Sequence, residues 1–240
     1  MDLDPRSQNA FLASLGADDF EALRPHLRTV TLVQSRLLVT VGDAVTQAYL
    51  PHGGVISLVV RLAQGERVEV AMIGRDSVLN LGGVLAGPLA VSSAVVLLPG
   101  YASVIDVEQL RGAAQRSLTL RTTLADHALA VFVQTQQTAA CNAAHSVESR
   151  LARWLLRVHD LSGSHRFTLT QELTAQMIGA RRNSVSLVAG MLQHLKYIRY
   201  SRGLIEITDL EGLSKTACEC YAAVKAQQER LLRHGTPAFK

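Results

Sequence analysis

The sequence lacks the features that mark membrane-spanning and secreted proteins. It has no uninterrupted apolar run of about 18 residues, the length that a spanning helix needs. Its first residues, Met1-Asp2-Leu3-Asp4-Pro5, are acidic and do not form the cationic and apolar stretches of a secretory signal. Three cysteines, an odd number, do not make a disulfide framework. These absences predict a cytoplasmic protein with reduced thiols and no membrane partner.

Carboxylates are missing from one stretch near the C-terminus. Between Leu173 and Ile205 the chain has no Asp or Glu. The basic residues of this stretch are Arg181, Arg182, Lys196, Arg199 and Arg202. Charge is also unequal along the chain, because residues 1–145 hold 10 basic and 12 acidic side chains and residues 146–240 hold 14 and 8. A compact surface of one sign favours a polyanionic partner, and the phosphates of DNA are the clearest candidate.

The region from Val30 to Ile105 alternates short β-branched runs with Gly, Pro and Asp. Two such runs flank Gln64-Gly65-Glu66 and are typical of a β-hairpin. Six or more short strands at this spacing predict a jelly-roll-like β-barrel, which would be the β part of an α+β fold.

A long helix is predicted to follow, from Ser117 to Ala140. On roughly one face it carries Leu120, Leu124, Val131 and Thr138, with Phe132 beside them. Such a helix can pack on its own domain or on a second subunit, and the diluted apolar stripe leaves both open. A self-matching surface of this kind would suit a homodimer.

The acid-free stretch has the pattern of a winged helix-turn-helix. Thr168-Leu169-Thr170-Gln171 offers a threonine cap, and the spacing from Thr168 to Gln171 matches a capping box. Gly179 would make the turn between a first short helix and a second one over residues 181–194. A hairpin around Ser201-Arg202-Gly203 predicts the wing. A unit of helices that binds another protein is the alternative interpretation.

Side chains of the second helix and the wing suit contacts with duplex DNA. Arginine can bond guanine bidentately, asparagine can bond adenine, and leucine can touch a thymine methyl group. Hydroxyls near a helix start and basic residues of a wing suit phosphates. The predicted DNA-contact residues are Thr170, Arg181, Arg182, Asn183, Ser184, Ser186, Leu187, Lys196, Arg199 and Arg202.

The stretch Thr-Gln-Glu-Leu-Thr-Ala-Gln-Met-Ile-Gly-Ala-Arg-Arg-Asn-Ser-Val-Ser, residues 170–186, resembles the winged helix-turn-helix of the Crp/Fnr transcription regulators. The likeness covers nearly the whole chain and is strongest in residues 145–208. It implies a homodimer joined through the long helix, a two-fold DNA site, and RNA polymerase as a candidate partner. Arg182 matches the family's base-reading arginine. Asn183 stands where many members have Glu, and Leu187 where the cyclic-AMP receptor has an Arg, so the target sequence should differ.

The resemblance also locates an effector pocket in the β-rich domain. Gly82 stands where the family's nucleotide-binding members have Glu, and Ser92 where they have Arg, so we expect no control by cyclic AMP. An anionic phosphate needs a positive partner or aimed amides. The predicted pocket residues are Gly82, Gly83, Ser92, Ser93 and Thr135. No cysteine precedes Cys141, so the N-terminal iron–sulfur cluster of oxygen-sensing members is also not expected.

The thiols give a separate hypothesis. Cys141 and His145 are four residues apart on a predicted helix and could share a face, but two ligands alone do not close a metal site. Cys218 and Cys220 fall in a single closing helix predicted over residues 211–232, where positions two apart point away from each other. We therefore predict packing roles for this second pair, and no metal or cofactor.

The sequence thus predicts an α+β regulator in three parts: an N-terminal β-roll (residues 1–115), a dimerisation helix (116–145) and a winged helix-turn-helix domain (146–240). No nucleophile, base and orienting acid stand out, so an enzyme is not expected. The alternative is a metal- or thiol-dependent sensor or enzyme with a basic C-terminal interaction domain.

Overall fold

The computed structural model describes residues 5–232. Residues 1–4, part of the segment that predicted the absence of a secretory signal, and residues 233–240 lie outside this range. The helices are α1 (Pro5–Gln8), α2 (Ala10–Ser14), α3 (Ala17–Leu23), α4 (Leu81–Leu85), α5 (Val107–Arg116), α6 (Leu118–Ala144), α7 (Val147–Ser162), α8 (Gln171–Met177), α9 (Arg182–His194), α10 (Leu210–Thr216) and α11 (Cys220–Leu232). The strands are β1 (Arg28–Leu32), β2 (Leu37–Val39), β3 (Gln47–Pro51), β4 (Val55–Arg61), β5 (Arg67–Ile73), β6 (Ser93–Leu98), β7 (Gly100–Asp106), β8 (Arg166–Thr168), β9 (Ile198–Ser201) and β10 (Leu204–Ile207).

The strands of the N-terminal part form the predicted jelly-roll-like β-structure, which is an open roll rather than a closed barrel. Within the described residues they make two antiparallel sheets, of order β1-β7-β3 and β2-β6-β4-β5. Side chains of both sheets meet in one core, to which α2, α3 and α5 add apolar residues. Strand β5 is at the edge of its sheet, and α6 covers that edge. There the Gln134 side-chain oxygen accepts from the Met72 N–H at 2.7 Å, and the Gln134 side-chain nitrogen donates to the Met72 carbonyl at 3.2 Å. A covered edge needs no further strand.

The four-stranded sheet is buried on both faces. One face contributes Ile56, Ile73 and Val96 to the core of the roll. The opposite face contributes Val55, Val59, Met72, Leu97 and Leu98 to a second core, which contains α7 and the inner sides of α8 and α9. This explains why β4 is almost continuously apolar, as sheets covered on both sides are.

The predicted long helix is confirmed as α6, which has 27 residues and is capped by the Ser117 hydroxyl accepting from the Leu120 N–H. Its buried side chains follow one another at intervals of three or four residues and pack on the same chain. They are Leu120, Leu124, His127, Ala130, Gln134, Thr138 and Cys141. Phe132 lies on another side of the helix and is exposed.

The C-terminal part contains the predicted helix-turn-helix and wing. Helix α8 is capped by Thr170, whose hydroxyl accepts from the Leu173 N–H at 3.1 Å, and not through the Thr168 capping box that the sequence suggested, because Thr168 ends β8. Strands β9 and β10 form the wing, with β8 as a third strand. The single closing helix predicted over residues 211–232 is wrong: it is broken at Ala217 into α10 and α11.

Candidate nucleic-acid interface, effector cavity and thiol cluster

Helix α9 has an inner face that holds it in the fold and an outer face that is open. Val185, Ala189 and Leu192 are buried in the second core. On the opposite side Arg182, Asn183 and Gly190 are exposed, and a Cβ on Gly190 would meet nothing within 4 Å. Leu187 is 77% exposed, so its side chain is available for contact on the open side of the helix. This outer face can accept a partner without any rearrangement of the core.

The turn before α9 is contacted by α7 and by the β-roll on its inner side. Gly179 has φ +60° and lies over Val68, at the edge of the β-roll. The Arg150 guanidinium, from α7, donates to the carbonyls of Ile178 and Gly179 at 2.5 and 3.2 Å. Because α7 and the roll both contact the inner side of the motif, they fix its orientation and leave its outer side free.

Two of the predicted contact hydroxyls are already engaged within the motif. Ser186 is half-buried, and its hydroxyl donates to Gln171 of α8 at 2.5 Å, so it lies between the helices rather than at the centre of the outer face. Thr170 caps α8 and is exposed. Ser184 is half-buried near the start of α9.

The acid-free stretch is bounded by two carboxylates that partly pair its basic residues. Glu172 lies 3.9 Å from Arg182, and both side chains are largely exposed, so the pair is weak. Glu206 accepts from both Arg166 and Arg199 at 2.6 and 2.8 Å, and these arginines lower the pKa of Glu206. Two arginines on one carboxylate still leave the wing positive.

The remaining predicted cations have no ion pair within residues 5–232. These are Arg181, Lys196 and Arg202, and all three are exposed. Lys196 and Arg202 also have positive φ values of 60° and 50°. Arg202 and Gly203, at φ +80°, form the turn of the wing, a place where asparagine or glycine would be less strained. The wing therefore presents a cation at its tip despite the backbone cost.

A cavity of about 450 Å³ lies between the roll and α6. Four of the five residues that the sequence assigned to an effector pocket line it: Gly82, Gly83, Ser92 and Thr135. Ser93 does not line it, and its hydroxyl accepts from the N–H of Val41, two residues after the end of β2. The cavity wall is mostly aliphatic and includes Phe132 of α6, and no charged side chain is part of it.

The structure brings Cys141 and His145 together with Cys218 and Cys220. One ligand atom from each of these four side chains lies within 4.8 Å of all the others. The Cys141 and Cys218 sulfurs are 3.5 Å apart, and the Cys220 sulfur is 3.6 Å from His145 Nδ1. Burial raises the pKa of Cys141 and of Cys218. The packing role predicted for Cys218 and Cys220 came from placing both inside one helix, whereas the break before α11 allows both to face the end of α6.

One buried carboxyl was not predicted from the sequence. Glu69 of β5 is 5% exposed and accepts from Trp154 Nε1 of α7 at 2.8 Å and from the Ser57 hydroxyl. Burial raises its pKa to about 7, although the two hydrogen bonds and the nearby Arg153 and Arg157 oppose the shift. The alternation of β5 places Glu69 on a buried face, but only the packing of α7 on that face reveals its surroundings.

None of the helices in residues 5–232 is long and apolar enough to cross a membrane.

Comparison with known proteins agrees with this architecture. Residues 149–216 match the family model described as a Crp-like helix-turn-helix domain. No curated protein sequence is a match for the chain. Among solved structures, the chain is similar to FixK2 from Bradyrhizobium japonicum, with a TM-score of 0.69 and 14% identity over 80% of this chain and 98% of FixK2.

Two further structures have the same fold at low identity. One is a CRP/FNR-family transcriptional regulator from Thermus thermophilus, with a TM-score of 0.64 and 20% identity over 79% of this chain and 98% of that one. The other is the c-di-GMP-responsive global regulator CLP from Xanthomonas campestris, with a TM-score of 0.64 and 14% identity over 80% of this chain and 99% of CLP. Residues 149–216 are therefore a Crp-like helix-turn-helix domain, and the chain has the fold of the Crp/Fnr transcriptional regulators.

Proposed function

We propose that the protein is a homodimeric transcriptional regulator that binds a two-fold DNA site in a sequence-specific manner and is not controlled by cyclic AMP. The observation that carries this proposal is the open outer face of α9, which is free of carboxylates and presents Arg182, Asn183 and Leu187. A helix of this size fits the major groove, and side chains near its N-terminus reach base edges.

The predicted contact residues divide into two roles in this proposal. Arg182 and Asn183 read bases, and Leu187 contacts a thymine methyl group. Arg181, Lys196 and Arg202, together with Arg199 on Glu206, contact phosphates on either side. Thr170 and Ser184 add hydroxyl contacts to the backbone of the DNA. The Ser186 hydroxyl donates to Gln171, and its lone pairs remain free to accept a hydrogen bond from the DNA.

The exposed side of α6 supports a homodimer. It carries a second stripe, spaced alternately by four and three residues, in which every residue is exposed and uncharged. The stripe is Leu118, Thr122, Ala125, Leu129, Phe132, Gln136, Ala139 and Ala143. A strict seven-residue repeat is the pattern of a two-stranded coiled coil. We propose that two copies pair along this stripe, with residues 116–145 as the dimerisation helix between a roll (1–115) and a DNA-binding domain (146–240).

A symmetric pair presents two α9 helices to one face of the DNA, which matches a two-fold site. An RNA polymerase subunit is a further partner to be expected of a regulator bound beside a promoter. The regulator fold of the structural neighbours also supports a binding protein rather than an enzyme with a basic interaction domain.

Replacing Arg182 by alanine tests the assignment of α9. Selection of pooled duplexes by the purified protein would first define the site. We then expect Arg182→Ala to lose about 1–3 kcal/mol of discrimination at one base pair in each half-site. Lys196→Ala should instead weaken binding to all sequences alike and reduce the slope of log affinity against log salt by about 1. Fluorescence anisotropy over a salt series measures both quantities.

Arg24 offers a matched control for Arg182. It is similarly exposed and also pairs with a glutamate, Glu21 at 2.8 Å, but lies far along the chain from the motif. Arg24→Ala should leave affinity and preference unchanged. If Arg182→Ala behaves in the same way as Arg24→Ala, then α9 does not read DNA and the proposed function is wrong.

The cavity supports an uncharged, largely apolar effector in place of a cyclic nucleotide. A cyclic phosphate placed among these aliphatic side chains would lose its hydration without gaining a cationic partner. We expect millimolar cyclic AMP to leave the melting temperature unchanged, because a ligand stabilises a protein only through binding to the folded state. A clear, saturable rise in melting temperature with cyclic AMP, absent with AMP, would contradict this part of the proposal.

A further inference from the structure

The thiol cluster has the composition and spacing of a closed metal site. Three sulfurs and one imidazole nitrogen converge within 4.8 Å of one another; the Cys141 and Cys218 sulfurs are 3.5 Å apart, and the Cys220 sulfur is 3.6 Å from His145 Nδ1. Tetrahedral zinc, with Zn–S bonds of about 2.3 Å and Zn–N bonds of about 2.0 Å, requires separations of about 3.5–3.8 Å between ligand atoms. We propose that Cys141, His145, Cys218 and Cys220 of one chain bind a single Zn²⁺ ion.

The imidazole is already oriented for such a role. His145 Nε2 lies 3.2 Å from Glu219 Oε1, so this nitrogen donates its proton to the carboxylate, and Nδ1 is left with its lone pair towards the sulfurs. A histidine that ligates a metal commonly donates its other ring nitrogen to a carboxylate in this way. Gln137 Nε2 also donates to the Cys220 sulfur at 3.0 Å, a contact that stabilises a thiolate better than a thiol. The surroundings therefore favour the metal-bound form of the ligands.

Charge around the cluster gives an independent argument. Arg150 and Arg153, both on α7, are at most 9% exposed, and neither has an ion pair with a carboxylate in residues 5–232. Both interact electrostatically with Cys141. A zinc ion bound by three thiolates and a neutral histidine carries a net charge of −1. Such a centre would place a negative charge beside two buried guanidiniums, of which Arg150 otherwise bonds only backbone carbonyls and Arg153 lies near the Glu69 carboxyl.

The chain segments that meet at the cluster indicate what the metal does. Cys141 and His145 lie at the C-terminal end of α6, and Cys218 and Cys220 lie at the start of α11. All four positions are protein ligands and three of them are buried, so no position remains for a substrate, as in structural zinc sites. On binding, three thiols lose their protons to solvent and three Zn–S bonds form. The ion thereby fastens the last helix of the DNA-binding domain to the end of α6.

Metal content of the full-length protein tests the site. The protein is purified under reducing conditions, given one equivalent of ZnSO₄, passed over a desalting column and assayed by plasma mass spectrometry. We expect one zinc per chain, and after exchange with Co²⁺ we expect the absorption bands of tetrahedral cobalt with thiolate ligands. A chromophoric chelator then gives the zinc affinity by competition.

Variants separate ligation from folding. Cys141 is fully buried and its replacement can unfold the protein, so the informative changes are His145→Ala and Glu219→Gln. His145→Ala should abolish stoichiometric zinc. Glu219→Gln should weaken zinc affinity by about 10- to 100-fold, as expected for a residue that orients a ligand. His52→Ala is the matched control, since His52 is also half-buried and hydrogen-bonded through Nε2, to Ser103, but is remote from the cluster; it should retain one zinc per chain.

Three results would overturn the proposal. The first is a folded, reduced protein that retains no zinc after reconstitution. The second is full zinc occupancy in His145→Ala with unchanged affinity. The third is a Cys141–Cys218 disulfide that persists under reducing conditions, for which the sulfurs would have to close from 3.5 Å to about 2.05 Å. DNA binding is read separately, so a zinc-free protein that still selects its site would refute the metal site and leave the proposed function standing.

Discussion

Introducing glutamate at Leu129 and Phe132 together is expected to convert the proposed dimer to a monomer. These side chains are 44% and 56% exposed and lie at the middle of the uncharged stripe on α6. In a two-fold coiled coil each new carboxylate would lie close to its own copy, and the apolar contact would also be lost. Sedimentation equilibrium should show the mass of one chain, near 25.9 kDa, for this double variant.

DNA affinity should fall with the loss of the dimer. Two linked helix-turn-helix domains bind a two-fold site more tightly than one domain does, by an effective-concentration factor of about 10² to 10⁴. We therefore expect the double variant to bind the selected site weaker by a factor in this range, and to bind a half-site as the unmodified chain does.

Val33→Glu provides the control for the added charge. Val33 is 56% exposed, as Phe132 is, but it lies just after β1, outside the stripe. This variant should remain a dimer and keep its DNA affinity. A dimeric Leu129→Glu/Phe132→Glu protein would show that the copies associate through another surface.

Glu69→Gln is expected to stabilise the protein above neutral pH by about 3 kcal/mol. The folded-state pKa of Glu69 is about 7, against an ordinary value of 4.5, so the folded protein holds a proton that the unfolded chain has released. Stability due to this group is therefore greatest at low pH, and it falls as the pH rises from about 4.5 to about 7. Each pKa unit corresponds to about 1.4 kcal/mol, which gives the figure above.

Glutamine removes the titration while it retains the hydrogen bonds. The glutamine carbonyl can accept from Trp154 Nε1, as the Glu69 carboxyl group does. The glutamine amide can donate to the Ser57 hydroxyl, which reverses the direction of the bond that Ser57 makes to Glu69. Urea unfolding at several pH values measures the difference in the free energy of unfolding. Glu66→Gln, at the exposed tip of the same hairpin, is the control and should leave the pH dependence unaltered. Equal stability of Glu69→Gln and the unmodified protein at pH 8 would mean that the Glu69 carboxylate is not destabilised by burial.

The sequence was most informative where one short segment determines its own structure. The helix-turn-helix could be predicted because Gly179 marks the turn, apolar residues fix the inner face of α9, and the segment from Leu173 to Ile205 contains no carboxylate. The hairpin around Gly65 and the long helix α6 followed from equally local patterns. Each of these elements depends on residues that are close in the chain.

Features that depend on distant segments were missed or misjudged. Nothing in the residues around Ala217, neither glycine nor proline, marks the break between α10 and α11, so Cys218 and Cys220 were placed on one helix. The exposed stripe of α6 was obscured by its alanines, threonine and glutamine, which a search for apolar residues passes over. Glu69 was overlooked because its burial comes from α7, about 85 residues later in the chain.

The four-stranded sheet has a consequence for any attempt to recombine such proteins. It is shared by two hydrophobic cores. Ile56 and Ile73 belong to the core of the roll, and Val55, Val59, Met72, Leu97 and Leu98 belong to the core that contains α7. If the C-terminal helix-turn-helix domain of this chain were exchanged for that of a relative, these last five residues of the roll would pack against side chains of a different sequence. A stable hybrid therefore requires side chains at those five positions that pack against α7 of the introduced domain. Joining the two domains at a loop, without changing these positions, would leave the core badly packed.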